Sequence, residues 1–182
     1  LPFTGRDASV TTPELHLIGV DPGGTTGVTR LTVPRLSIFG DEPPQIIEWD
    51  YFALNGPEAK QATELARYTR ETQSLSYKIG PAIVSELWTQ DPRFKSTDPE
   101  ALSPARINAM LELLLYQNLL GDATLTFQPR GIRLSIDEDK LRKMRMYVKH
   151  KDIRASTQHA VMGLRRARQS LEFATKLWPE AV

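Results

Sequence analysis

Short apolar runs bounded by turn residues alternate along this chain with longer stretches of helical periodicity. Leu15 to Val20 is almost wholly apolar and stops at Asp21-Pro22-Gly23-Gly24, which predicts a buried strand ended by a turn. Val28 to Val33 resumes with β-branched residues. Gln45 to Leu54 supplies a third strand, with Ile47, Trp49 and Tyr51 on one face and Ile46, Glu48 and Asp50 on the other. Short links between these three predict an antiparallel meander. From Glu58 to about Lys78, the residues Ala62, Leu65, Ala66, Thr69 and Thr72 recur at helical spacing among polar positions, so this is a surface helix. Pro81 to Leu87 is another brief apolar strand. Ser103-Pro104 then opens a helix as an N-cap and first-turn proline should, with the stripe Ile107, Met110, Leu111, Leu114 and Leu115 and an end at Gly121-Asp122. Ala123 to Gln128 reads as a fifth strand that Pro129 to Gly131 breaks. A last helix runs from about Asp152 to Leu177, packing through Ile153, Ala160, Leu164, Ala167, Leu171 and Ala174.

That order predicts an α/β fold: a mixed five-stranded sheet, in which a three-strand antiparallel meander continues into parallel strands, with helices on both faces. A chain of 182 residues suits one core. Residues 1–14, rich in Thr, Ser, Pro and Gly, read as a flexible lead-in, and 15–182 as the folded domain, with no internal repeat.

Composition narrows the chemistry. Hydrophobic residues at 40% and charged residues at 25% are those of an ordinary globular protein, and no apolar run approaches the ~20 residues that span a bilayer. There is no cysteine, which excludes disulfide scaffolds, thiolate metal sites and cysteine nucleophiles. The pattern Leu1-Pro2-Phe3-Thr4-Gly5 matches a sortase anchoring signal by chance, since such signals precede an apolar C-terminal tail. No secretory pattern follows Leu1, and the expected compartment is the cytoplasm.

A net charge of +1 conceals an uneven distribution. Lys140, Arg142, Lys143, Arg145, Lys149, Lys151 and Arg154, with Arg165, Arg166 and Arg168 beyond them, stand in a tract whose only acid is Asp152. Such a tract suits a polyphosphate partner, against the plainer reading of a solvated helix face.

Three acids occupy unusual places. Asp21 ends the first strand just before glycines that permit close approach of a ligand. Glu86 ends the apolar strand after Ala82, Ile83 and Val84. If these strands lie side by side in parallel, both carboxylates emerge at one edge of the sheet, where open α/β sheets bind ligands. Asp152, Ser156 and His159, at i, i+4 and i+7, share one face of the last helix, at the margin of its packing stripe. Each has a structural alternative: a turn residue, a strand exit, a hydrogen-bonded helical histidine. Jointly, hard oxygen ligands of this kind gather Mg2+ or Mn2+, and two such ions activate water for phosphodiester cleavage without a protein nucleophile.

The run Ile18-Gly19-Val20-Asp21-Pro22-Gly23-Gly24-Thr25-Thr26-Gly27 resembles the first motif of RuvC-type Holliday-junction resolvases, and Ser85-Glu86 falls where that family carries its glutamate. Lys149 to Ala160 resembles the closing helix as phage versions write it, although Ser156 and His159 stand where bacterial members usually place a pair of acids, or a histidine and an acid. The resemblance, over roughly residues 15 to 172, implies an RNase H-like nuclease in which Asp21 bridges two metal ions, Glu86 holds one, and Asp152, His159 or both complete the site. It implies a homodimer acting on branched DNA, in the cytoplasm of a bacterial host for a phage-encoded member; RNA–DNA hybrid is the substrate of related nucleases. Trp88 and Phe94, just after Glu86, are candidates for stacking on a splayed base, with packing the favoured alternative. Two other readings compete. One is a non-catalytic nucleic-acid-binding module on the same scaffold. The other is an ATP-binding domain of the actin and sugar-kinase type, for which the chain is short of a second lobe.

Overall fold

The computed structural model describes residues 12–75, 78–89 and 99–182. Strands β1 (Glu14–Asp21), β2 (Thr25–Pro34), β3 (Glu48–Asn55), β4 (Ala82–Leu87) and β5 (Thr124–Pro129) form one sheet in the order β3-β2-β1-β4-β5. β1–β2 and β2–β3 pair antiparallel, whereas β1–β4 and β4–β5 pair parallel. The central β1 is buried on both faces from Leu15 to Val20, which is why its sequence shows an apolar run and no alternation.

Helices α2 (Glu58–Leu75) and α3 (Ser103–Tyr116) cover one face, burying Leu65, Ile107 and Leu111 against Ile18, Val28 and Ile83. Helices α6 (Lys151–Gln169) and α7 (Leu171–Leu177) cover the other, where Ala160, Leu164 and Trp178 meet Leu15, Leu17 and Val84. Two glycines set how closely α6 approaches. A methyl at Gly19 would collide with the Ser156 carbonyl, and one at Gly27 with the Asp152 carbonyl. The first two turns of α6 therefore lie directly on the β1–β2 hairpin. Thr29, beneath them, bonds Ser156 Oγ at 2.8 Å and Thr157 Oγ1 at 2.9 Å, so hydroxyls rather than aliphatic side chains seal the contact.

Several expectations need correction. The β2–β3 link is not short: it holds the single-turn α1 (Leu36–Phe39), where Ser37 Oγ donates to the Pro34 carbonyl at 2.7 Å. The last helix is two helices. Ser170, with extended backbone, caps α7 by accepting from Phe173 N–H at 3.2 Å. The break rotates Leu171 outward to 65% exposure, while Ala174 stays buried. Two further short helices, α4 (Arg130–Arg133) and α5 (Glu138–Lys143), fill the stretch between β5 and α6. The lead-in lies mostly outside the described residues. No described helix is long and apolar enough to cross a membrane.

Candidate active site

The register brings the acids together. Val20 pairs with Ser85 across the parallel β1–β4 ladder, so the next residues, Asp21 and Glu86, end adjacent strands at the same rim and on the face that α6 covers. Asp152, in the first turn of α6, sits over Gly27, which itself pairs with Asp21 in the β1–β2 ladder. Burial raises the Asp21 carboxyl from its ordinary 3.8 to about 7. The Glu86 charge and, more weakly, Asp152 add to that rise against the opposing pull of Arg133 and Arg130. Among the described residues no hydrogen bond or ion pair compensates the Asp21 carboxylate. After it, Gly24 faces open space, leaving the backbone free to be approached.

Glu86 has partners. His159 Nε2 lies 2.9 Å from its Oε2, and Arg133 Nε lies 3.0 Å from the same oxygen; the arginine contact is one of charge, since its N–H is not aligned on an acceptor. Burial pushes the Glu86 carboxyl up. The His159 hydrogen bond, Arg133, the His159 charge and Arg130 together outweigh that and hold it below its ordinary value. His159 is fully buried, not at the margin of the packing stripe as its helical position suggested, because α6 lies so close to the sheet. Its Nδ1 is 3.4 Å from Oε1 of the buried Gln128, which pairs with Glu86 in the β4–β5 ladder. Ser156 shares the helix face but is spent on Thr29 and the Ile153 carbonyl, away from the rim.

No protein-family model matches the sequence, and no curated protein sequence matches it. Solved structures do. RuvC from Thermus thermophilus in complex with a Holliday junction substrate aligns with a TM-score of 0.54 at 11% identity, covering 86% of this chain and 96% of that one. A second T. thermophilus RuvC structure gives 0.54 at 10% identity, covering 85% and 96%. The fold is that of RuvC. Its RNase H-like mixed sheet is the architecture the sequence pattern predicted.

The basic tract, which leads into α6 and Asp152, is not uniformly free. Glu138 binds Arg154 at 3.1 Å and Arg142 at 3.7 Å, and Lys140 donates to the Ser135 carbonyl at 2.7 Å. The Arg142 guanidinium also lies over the Tyr147 ring, 3.6 Å from its centre. Lys143, Arg145, Lys149 and Lys151 are exposed and have no carboxylate partner among the described residues. Trp88 donates to the Ala101 carbonyl at 3.0 Å and joins neither core cluster; Phe94 lies outside the described residues.

Besides Gln128, sequence reasoning missed three residues here. Arg130 and Arg133 follow directly on β5 and turn their charge toward Asp21 and Glu86. Gln61, buried on α2, donates from Nε2 to the carbonyls of Gly56 at 2.7 Å and Gly24 at 3.0 Å, stapling the turn after Asp21. Among the described residues no group of three or more His, Asp or Glu side chains stands in ligating arrangement. The donor chemistry nevertheless fits a divalent cation, because the carboxylates of Glu86 and Asp152 lie near enough to Asp21 to add to the rise that burial causes, and Asp21 itself has no hydrogen bond or ion pair among the described residues.

Proposed function

We propose that the chain is a metal-dependent endonuclease that cuts branched DNA. Asp21, Glu86 and Asp152 would hold Mg2+ or Mn2+, with His159 completing or positioning the set. Bound there, such ions supply an activated water and neutralise charge on the phosphodiester. The chain's own residues do the rest: the β1–β4 register fixes two carboxylates side by side, Gln128 and His159 orient Glu86, and Arg130 and Arg133 offset the rim's charge. The exposed Lys143, Arg145, Lys149 and Lys151 would hold phosphates, with a steep loss of affinity in salt. The observation that carries the reading is geometric: the β1–β4 register sets Asp21 and Glu86 side by side at one rim of the sheet, with Asp152 over the neighbouring Gly27. The bound Holliday junction of the T. thermophilus neighbour supports branched DNA as substrate, and a homodimer would place two sites on opposing strands.

The test is a nicking assay on four-way junctions, flaps, linear duplex and RNA–DNA hybrid with Mg2+ or Mn2+. Junctions are expected to be cut best, and Asp21→Asn to bind but not cut. Preference for hybrid by a wide margin would keep the metal site and overturn the substrate. The second reading, a non-catalytic nucleic-acid-binding module, draws on the Glu86–His159–Arg133 contacts, which satisfy Glu86 without any ion. A wild-type protein inert on every substrate with both metals would favour it.

A further inference from the structure

The C-terminal half of α6 borders a cleft that the nuclease reading does not use. It has a volume of about 630 Å3, within the size range of ligand sites. Val33, Ile38, Ile46, Val161 and Leu164 give it an aliphatic lining, and it lies open to solvent on one side. Arg165 and Arg168, one turn apart on α6, form part of its wall; both are exposed, and neither has a carboxylate partner among the described residues. No acid lines the cleft among those residues. Asp152 stands thirteen residues back along the same helix, a separation of roughly 20 Å at 1.5 Å per residue, so this is not the carboxylate rim.

We infer that this cleft docks an acidic peptide segment of another protein, its apolar side chains in the pocket and its carboxylates on Arg165 and Arg168. The interaction of cations with the C-terminal end of a helix dipole accounts for an arginine in the last turn of α6. It does not account for two on the wall of one apolar cleft with no acid opposite. A nucleobase fits less well, since bases are held by stacking on aromatic rings and this lining has none. An opening on one side lets a peptide chain run on past its anchors, as groove-bound segments do. Arginine stems also cover apolar surface while their heads stay in water, which suits a site where acidic and apolar residues alternate.

The experiment follows the methyl resonances of Val33, Ile38, Val161 and Leu164 during titration with four probes. These are a peptide of about twelve residues with Leu and Phe anchors among Asp and Glu, its Lys-substituted twin, its Ser-substituted twin lacking anchors, and oligothymidylate of similar length. The acidic anchored peptide is expected to move these methyls with a dissociation constant in the range of tens of micromolar, and the twins to bind at least tenfold more weakly. Arg165→Glu/Arg168→Glu, at two exposed positions, should cut its affinity at least tenfold and make the Lys twin the better ligand; Arg165→Gln/Arg168→Gln should give an intermediate loss. Unmoved methyls, equal binding of the Lys twin, or displacement by oligothymidylate would each overturn the inference. So would shifts that follow protein concentration alone, which would assign the cleft to a second copy of the chain. None of these outcomes depends on whether the rim cuts DNA.

Discussion

Two partly buried polar clusters sit on opposite faces of the same sheet and solve their electrostatics in opposite ways. On the α2 and α3 face, the Arg30 guanidinium lies 2.8 Å from Asp50 and 3.1 Å from Glu48, and the Tyr68 hydroxyl donates to the second Asp50 oxygen at 2.9 Å. Each acid there has a cation or hydroxyl in direct contact, although one arginine serves both. On the α6 face, Asp21 is driven up to about 7 by burial and by two like charges, against a weaker pull from Arg133 and Arg130, and among the described residues it has no hydrogen bond or ion pair, whereas Glu86 has both. The difference bears on stability, because a buried carboxylate without a partner costs stability near neutrality unless something binds it.

The largest effect that tests this contrast lies at the rim. Asp21 has a folded value above its unfolded one, so between about 4 and 7 the native state holds the extra proton and stability falls as pH rises through that window. Above 7 the whole penalty is present. Asp21→Asn should therefore raise the melting temperature of the metal-free protein by several degrees at pH 8 and by little at pH 4.5, while lowering junction cleavage by about three orders of magnitude or more. Mn2+ should stabilise the wild type and not the variant. Equal stability of the two proteins at pH 8 in a chelator would place Asp21 in a relaxed environment and remove the contrast.

Much of the rim was legible in the sequence. The apolar run ending at Asp21, and its partner ending at Glu86, announce strand ends through composition and turn residues, and parallel pairing of neighbours turns those ends into one site. Asp152 and His159 followed from helical spacing. The burial of His159 did not, because it depends on how near α6 lies to the sheet, a distance set by Gly19 and Gly27 on other elements. Arg133 was hidden for a different reason: a single-turn helix after a strand leaves no periodic signal, so its approach to Glu86 is purely tertiary. The break at Ser170 escaped notice because the packing stripe runs through it without a glycine or proline. The Arg30 cluster was equally unreadable. Period-2 alternation puts Glu48 and Asp50 on one strand face but says nothing of an arginine on the neighbouring strand.

The next effect belongs to that cluster. Arg30 is buried while Glu48 and Asp50 are partly exposed, so removing the cation strands two acids that water still reaches in part. Arg30→Leu should cost about 2 kcal/mol in urea unfolding at pH 7, below the penalty for breaking a fully buried pair. The manganese affinity of the rim should stay within twofold. A variant that lost metal binding in step with stability would mean that the two clusters are one coupled system.

The smallest effect is the acid response of His16, which joins this cluster through its neighbours. His16 is 4% exposed, with Nδ1 bonded to Thr32 Oγ1 at 3.0 Å and Nε2 buried without a partner. Burial first, and Arg30 second, lower it from 6.5 to about 4, with Asp50 pulling the other way. The unfolded chain therefore takes up a proton near 6.5 that the folded one refuses until about 4, and stability is lost as pH falls through that window. The shift corresponds to roughly 3 kcal/mol at its full extent. His16→Gln, which keeps a polar group beside Thr32, should lose less stability than the wild type between pH 7 and 4.5, in urea titrations at each pH. Arg30→Leu should make the His16 response smaller and end it at a higher pH, because it removes the second cause of the depressed folded value. Divalent metal should alter neither curve, in contrast to the rim, where the same ion acts on the group that titrates. Parallel curves for wild type and His16→Gln would show that the proton uptake lies elsewhere and that the balanced cluster does not govern the acid limb.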